Sequence, residues 1–215
     1  AYPNVNWFKT ILKDYSSQSQ YNLNISGGSN AIRYFVSGSF INQGTLLQHQ
    51  DQFFDNYGVK SKFGRYNFRS NVDMDVTSML KVQVDLAGRL EERTGPGPGF
   101  SYIFEDIAGR SQMAQPVFNP DGTLGAGSAT ELPYRQNPYG MITKSGYYSN
   151  YTNVMYGTLS ARHTLDFITP GLSAQLFFSF ENNNNRSTSR SQNFDSYWYR
   201  GLDEDGDPIY QPHTV

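Results

Sequence analysis

Hydrophobic and polar side chains alternate between Arg65 and Glu91. Tyr66, Phe68, Val72, Met74 and Val76 interleave with Arg65, Asn67, Arg69, Asn71, Asp73 and Asp75. After Thr77-Ser78-Met79 the pattern resumes, with Leu80, Val82, Val84, Leu86 and Leu90 set against Lys81, Gln83, Asp85, Arg89 and Glu91. A period of two puts each class on its own face of a sheet. Each apolar stripe runs for about ten residues, the span of a tilted membrane strand. Pairing Val76 with Leu80 across the turn sets Asp75 against Lys81, Arg65 against Glu91, Val72 against Val84 and Tyr66 against Leu90, with Phe68 over Gly88. Opposite charges opposed and a ring over a glycine are the marks of a correct register.

The same pattern predicts strands at 19–26, 31–42, 65–76, 80–92, 154–167 and 172–182. In the first two, Tyr21, Leu23 and Ile25 share a face with Ile32, Tyr34, Val36 and Phe40. Counting from Gly27-Gly28-Ser29-Asn30 pairs Ile25 with Ile32, Leu23 with Tyr34 and Tyr21 with Val36. In the last two, Met155, Leu159, Ala161, Leu165 and Phe167 join Leu172, Ala174, Leu176, Phe178 and Phe180. Tight turns fall within 27–30, 77–79 and 168–171. Long segments cover 43–63, 94–152 and 183–215. In an up-and-down sheet alternate connections lie at one end, so short turns collect at one end and long loops at the other, as in outer-membrane barrels. Within the loops, Asn119-Pro120-Asp121-Gly122 is a turn signal between Pro116-Val117-Phe118 and Thr123-Leu124. The tract Gly95-Pro96-Gly97-Pro98-Gly99 reads as irregular. The run Asn182–Asn185 marks the exit of the last strand. Asn6 is a cap for a short helix through Leu12.

Composition fits this picture. A mean hydropathy of -0.59 is too polar for helical spans, whereas barrel strands hide in such a composition because half of each is polar. Net charge is -2, so no polybasic signal points to nucleic acid. No cysteine is present, which removes disulfides and thiolate metal sites. The chain opens at Ala1 without a charged n-region or an apolar h-region, and reads as carrying no signal peptide or one already removed.

At this point the residues resemble a known family. Tyr21-Asn22-Leu23-Asn24-Ile25-Ser26-Gly27-Gly28, Arg33-Tyr34-Phe35-Val36-Ser37-Gly38 and Asn42-Gln43-Gly44 resemble the early barrel of SusC/RagA-type TonB-dependent outer-membrane transporters. So do Arg65-Tyr66-Asn67-Phe68-Arg69-Ser70-Asn71-Val72-Asp73 with Leu80-Lys81-Val82, the stretch Pro116–Gly122, Asn137-Pro138 and the opening Asn6-Trp7-Phe8. The resemblance implies an all-β fold, an antiparallel up-and-down segment of a plugged transmembrane barrel of about 22 strands. It further implies import of oligosaccharides or peptides across the bacterial outer membrane, a SusD-like surface lipoprotein as partner, and drive from the TonB-ExbB-ExbD system. With no plug and too few strands to close, the whole chain, 1–215, reads as part of one barrel domain.

Candidate chemistry is weighed on that frame. His49, His163 and His213 have no second ligand at metal spacing. Asp203-Glu204-Asp205-Gly206-Asp207 invites a calcium loop, but its first position would be Gly201 and its twelfth Pro212, so an Asp-Gly turn in a hairpin is the better reading. Each carboxylate on the charged strand faces has a cationic neighbour. This argues against a paired catalytic set and for a lumen wall against the plug, built from Arg65, Arg69, Asp73, Asp75, Lys81, Asp85, Arg89 and Glu91. No catalytic motif and no cofactor site are expected, and the chain does not read as an enzyme. The loop aromatics Phe100, Tyr102, Phe104, Tyr134, Tyr139, Tyr147, Tyr148 and Trp198 are candidates for contact with substrate or with the lipoprotein lid. Phe100, Tyr102 and Phe104 share one face if that tract is extended. The rival reading is a soluble or surface-exposed carbohydrate-binding or adhesin domain, which needs a second sheet to bury the apolar stripes.

Overall fold

The computed structural model describes residues 3–49, 60–127 and 136–213. Eleven elements follow in order among them: α1 (Trp7–Ile11), β1 (Gln18–Gly28), β2 (Ile32–Gln43), β3 (Lys62–Asp75), β4 (Leu80–Pro96), α2 (Phe100–Ala108), α3 (Pro138–Thr143), β5 (Gly146–Thr164), β6 (Ser173–Ser191), β7 (Ser196–Leu202) and β8 (Pro208–His213). The fold is mostly β. Strands β1 to β6 form one antiparallel sheet in chain order, and β7 pairs with β8. This is an up-and-down sheet with two open edges, the arrangement of a barrel segment.

Opposed charges fix the central hairpin. Asp75 pairs with Lys81, Arg65 with Glu91, Val72 with Val84, Tyr66 with Leu90 and Phe68 with Gly88, the register that charge matching predicts. The first hairpin departs from expectation. Ile25 lies opposite Val36, Leu23 opposite Gly38 and Tyr21 opposite Phe40, so the register slides but the faces are kept. The cause is the turn: Gly28 pairs with Arg33, the Ser29 amide donates to the Ile32 carbonyl at 2.6 Å, and the Ser29 hydroxyl accepts from the Ala31 amide at 3.3 Å. The turn is therefore centred on Asn30-Ala31, two residues beyond the glycines, which both lie within β1. The slide sets the Tyr34 ring over Gly27.

Strand ends also move. β5 starts at Gly146 rather than 154 and stops at Thr164, leaving Leu165 and Phe167 in the turn; β6 runs on to Ser191, through the asparagine run. Backbone pairing continues there although hydrophobic alternation has stopped, because polar side chains bridge the strands: Ser187 donates to Asn150 Oδ1 at 2.7 Å, and Thr152 to Asn185 Oδ1 at 3.3 Å. β4 likewise takes in Gly95 and Pro96, opposite Tyr148 and Tyr147.

The buried core does not lie on the sheet. Trp7, Ile11, Leu47, Ile103, Ile107, Leu124, Tyr139, Met141, Ile142 and Phe194 pack together at the loop end. Of the described helices, α3 packs against β4 and β5 of the sheet. Asn6 caps α1 by accepting from the Lys9 amide at 3.1 Å, and Trp7 and Ile11, one turn apart, point inward. Phe100, Tyr102 and Phe104 would share a face only in an extended tract, and the chain is helical there. Ile103 and Ile107 recur at the helical spacing and are buried, which decides the ambiguity between the two periods.

Candidate functional site

Parity and register together give the sheet two faces of opposite character. On the first, Arg65 donates to Glu91 through Nε (2.9 Å) and Nη2 (2.7 Å), and Lys81 lies 3.4 Å from Asp75. The carboxylate of Asp85 accepts from Asn71 and, at 2.8 Å, from Gln83. Asp73 lies between Arg33 and Gln83 on the neighbouring strands. Arg69 and Arg89, which form no ion pair among the described residues, line a hollow of about 430 Å³ with Asn22, Asn24, Asn67 and Tyr156. All eight charged residues predicted for a lumen wall thus share this face. Its chemistry is positional: a fixed pattern of charges and amides that a polar surface or solute can pair with.

The second face is apolar and nothing in the described chain covers it. Leu176 is 72% exposed, Leu23 66% and Phe178 63%. From Leu80 to Leu90 the stripe on β4 is about 25 Å tall for a strand tilted about 45°, which is the height of the apolar band of an outer-membrane barrel. At its loop-end margin Tyr21, Phe40 and Tyr66 occupy one row across three strands. Their rings stack, with centroids 6.3 Å and 4.6 Å apart. Such a row has the form of an interfacial aromatic girdle. Sequence counting misses it because the girdle depends on the register of the first hairpin.

Beyond that row the same face turns polar. Lys62, Glu92, Tyr147, Tyr151 and Arg186 line a cleft of about 860 Å³. These residues keep the parity of Leu90 and Tyr66. The signal that could have revealed them is charge appearing at apolar parity past position 90.

The predicted loop aromatics separate. Phe100 and Phe104 stack on α2 (6.2 Å), and Phe8 of α1 meets Phe104 edge-on (5.9 Å); all three are exposed, as is Tyr102. Tyr139 is buried between Phe118 and His49, 4.8 Å and 4.9 Å away, and burial pushes its phenol above the ordinary tyrosine range. Tyr147 lines the cleft. Tyr148 covers Gly95 on the charged face. Trp198 lies in the β7–β8 hairpin beneath the Arg200 guanidinium. Tyr134 lies outside the described residues. The aspartates of 203–207 form the tip of that hairpin, where Asp203 Oδ1 accepts from the amides of Asp205 (3.0 Å) and Asp207 (2.8 Å). Among the described residues no group of three acidic or histidine side chains is placed to hold a metal.

Asn137 and Arg110 organise the loop end, and sequence reasoning passed over both roles. Asn137 is fully buried. Its amide nitrogen donates to the carbonyls of Val117 (3.0 Å) and Gly125 (2.8 Å), while its oxygen caps α3 at the Tyr139 amide (3.0 Å). Arg110 forks onto Asp106 and reaches the Gln136 carbonyl at 2.8 Å, with its guanidinium over the Trp7 ring.

No family model matches the chain. Over 149 residues, 66% of the chain, it is 28% identical to the TonB-dependent receptor P3 of Formosa agariphila, and the match takes in 13% of that protein.

Proposed function

We propose that this chain is part of the barrel wall and outer loops of a TonB-dependent outer-membrane transporter. The observation that carries the reading is the uncovered apolar face, of bilayer height and edged by stacked rings, in a chain whose own hydrophobic core packs elsewhere. A soluble sandwich buries such a face under a second sheet, and the two-stranded β7–β8 sheet of the described chain does not pack over it. The likeness to a TonB-dependent receptor supports the same reading.

In this proposal the face from Arg65 to Glu91 lines the lumen and holds a plug domain through its charges. No bond is broken, and energy from the TonB-ExbB-ExbD system displaces the plug. The SusC/RagA-type resemblance of the strands and of Asn137-Pro138 favours an importer of oligosaccharides or peptides that works with a SusD-like lipoprotein. The exposed rings of Phe8, Phe100 and Phe104 offer that partner a flat apolar contact.

Val72→Arg or Val84→Arg in the intact protein tests the reading. A lipid-facing site near the bilayer midplane loses about 2–4 kcal/mol of folding free energy in bilayers, whereas Ser37→Arg, on the charged face, loses little. Equal, small effects of all three would refute the membrane assignment.

A further inference from the structure

The cleft above the girdle has the wrong chemistry for a lipid-facing wall and the right chemistry for what lies just beyond the acyl chains. Tyr66, Gly64 and Lys62 succeed one another on the outward side of β3, as Leu90, Glu92 and Thr94 do on β4 and Asn184, Arg186 and Thr188 on β6. Lys60, Lys62 and Arg186 converge on the cleft with one carboxylate, Glu92. Lys62 lies 3.0 Å from that carboxylate. Arg186 is exposed and forms no ion pair among the described residues. Among the described lining residues the net charge is therefore positive. Between Asn42 and Glu92 the row lacks a side chain at Gly64, where an added Cβ would meet nothing within 4 Å, so the surface is hollowed there. Tyr151 and Tyr147 flank the hollow with hydroxyl-bearing rings.

Height selects the occupant. Lys62 is four residues beyond Tyr66, about 13 Å along the strand and about 9 Å along the membrane normal for a strand tilted about 45°. The polar layer beyond the hydrocarbon is about 5–7 Å thick on each side, so Lys62 stands at the level of the lipid head groups or just outside them. We propose that this cleft binds the phosphate-bearing head group of an outer-leaflet lipid, with its acyl chains lying along the apolar stripe below the girdle. Arg186 supplies the forked donor that suits phosphate, and the two lysines act as point charges beside it. Glu92 holds Lys62 in place and excludes a second anion. The inference rests on the membrane reading above.

The test uses the intact transporter in phosphatidylcholine vesicles carrying either bisphosphorylated lipid A or its dephosphorylated form. Retained lipid is counted by native mass spectrometry after extraction. Wild-type protein is expected to retain the phosphorylated lipid selectively, and less of it as salt rises. Each of Lys60→Gln, Lys62→Gln and Arg186→Gln is expected to weaken retention about fivefold, and the triple variant about a hundredfold. Lys13→Gln, at the loop end, should not change it. Retention unaffected by the triple variant, or equal for both lipid forms, overturns the proposal. So does competition by inorganic phosphate at the same concentration as the lipid, which would mark a simple anion site, or charge-dependent capture of an acidic protein in place of lipid. If Val72→Arg is costly and the lipid arms are equal, only this inference fails. If Val72→Arg costs nothing, the membrane reading fails first.

Discussion

A single guanidinium shows how the loop end is held. The Arg110 side chain is 1% exposed and that of Asp106 7%, and the pair is joined at 2.7 Å and 2.9 Å. Desolvating two such charges is costly, and their attraction offsets the cost only while both are present. Arg110→Met should therefore leave the Asp106 carboxylate buried without its partner and destabilise the α1–α2–α3 unit by about 3–5 kcal/mol. Hydrogen exchange at the α2 amides measures this. Adding Asp106→Leu to Arg110→Met is expected to recover most of the loss, because an apolar pair of similar volume no longer carries an unmatched charge. Asn137 plays the corresponding neutral role. Its donors and acceptor are all used inside the core, so loss of any one would leave a polar group unsatisfied where water cannot replace it.

Each hairpin of the main sheet places a ring over a glycine on the outward face: Tyr34 over Gly27, Phe68 over Gly88 and Phe180 over Gly157. A Cβ at Gly88 would collide with the Phe68 ring. Gly88→Ala should cost about 1–3 kcal/mol through forced displacement of that ring. Combined with Phe68→Leu it should cost less than the sum of the two single changes, which urea titration of the protein refolded in vesicles can measure. The middle hairpin was legible in the sequence because Arg65, Asp75, Lys81 and Glu91 admit one register only. The first hairpin carries charge at Arg33 alone, so its register was counted from the glycines, and the turn lies two residues beyond them. The upper halves of β5 and β6 were hidden for another reason: with Asn, Ser and Thr on both faces there is no hydrophobic period to detect, although the backbone ladder runs on. The helix at Phe100–Ala108 was masked because apolar residues at 100, 103, 104 and 107 fit a helix while 100, 102 and 104 fit a strand. The eight charges of one face were legible from parity alone. The cleft at Lys62 and Arg186 needed the register, since it is assembled from three long-range pairings.

At the scale of the whole molecule, polarity is distributed along the sheet normal and along the strand axis at once. The charged face, the apolar face, the row of stacked rings and the helical core at the loop end fit together in the oriented, layered surrounding of the membrane reading proposed above. The sheet's margins impose one more condition. In an antiparallel ladder, alternate residues of an edge strand point their backbone N–H and C=O groups away from the only neighbour. β1 and β6 are such edges, and in hydrocarbon each unpaired group costs several kcal/mol. On the membrane reading proposed above these groups need partners, which further strands flanking both edges would supply. The expected outcome is that all β6 amides between Ala174 and Phe180 are protected from hydrogen exchange in vesicles, those pointing away from β5 as strongly as those paired with it. Fast exchange at every second amide along that stretch would mean that the edge faces water. It would contradict the closed barrel without touching the register, the girdle or the packing at the loop end.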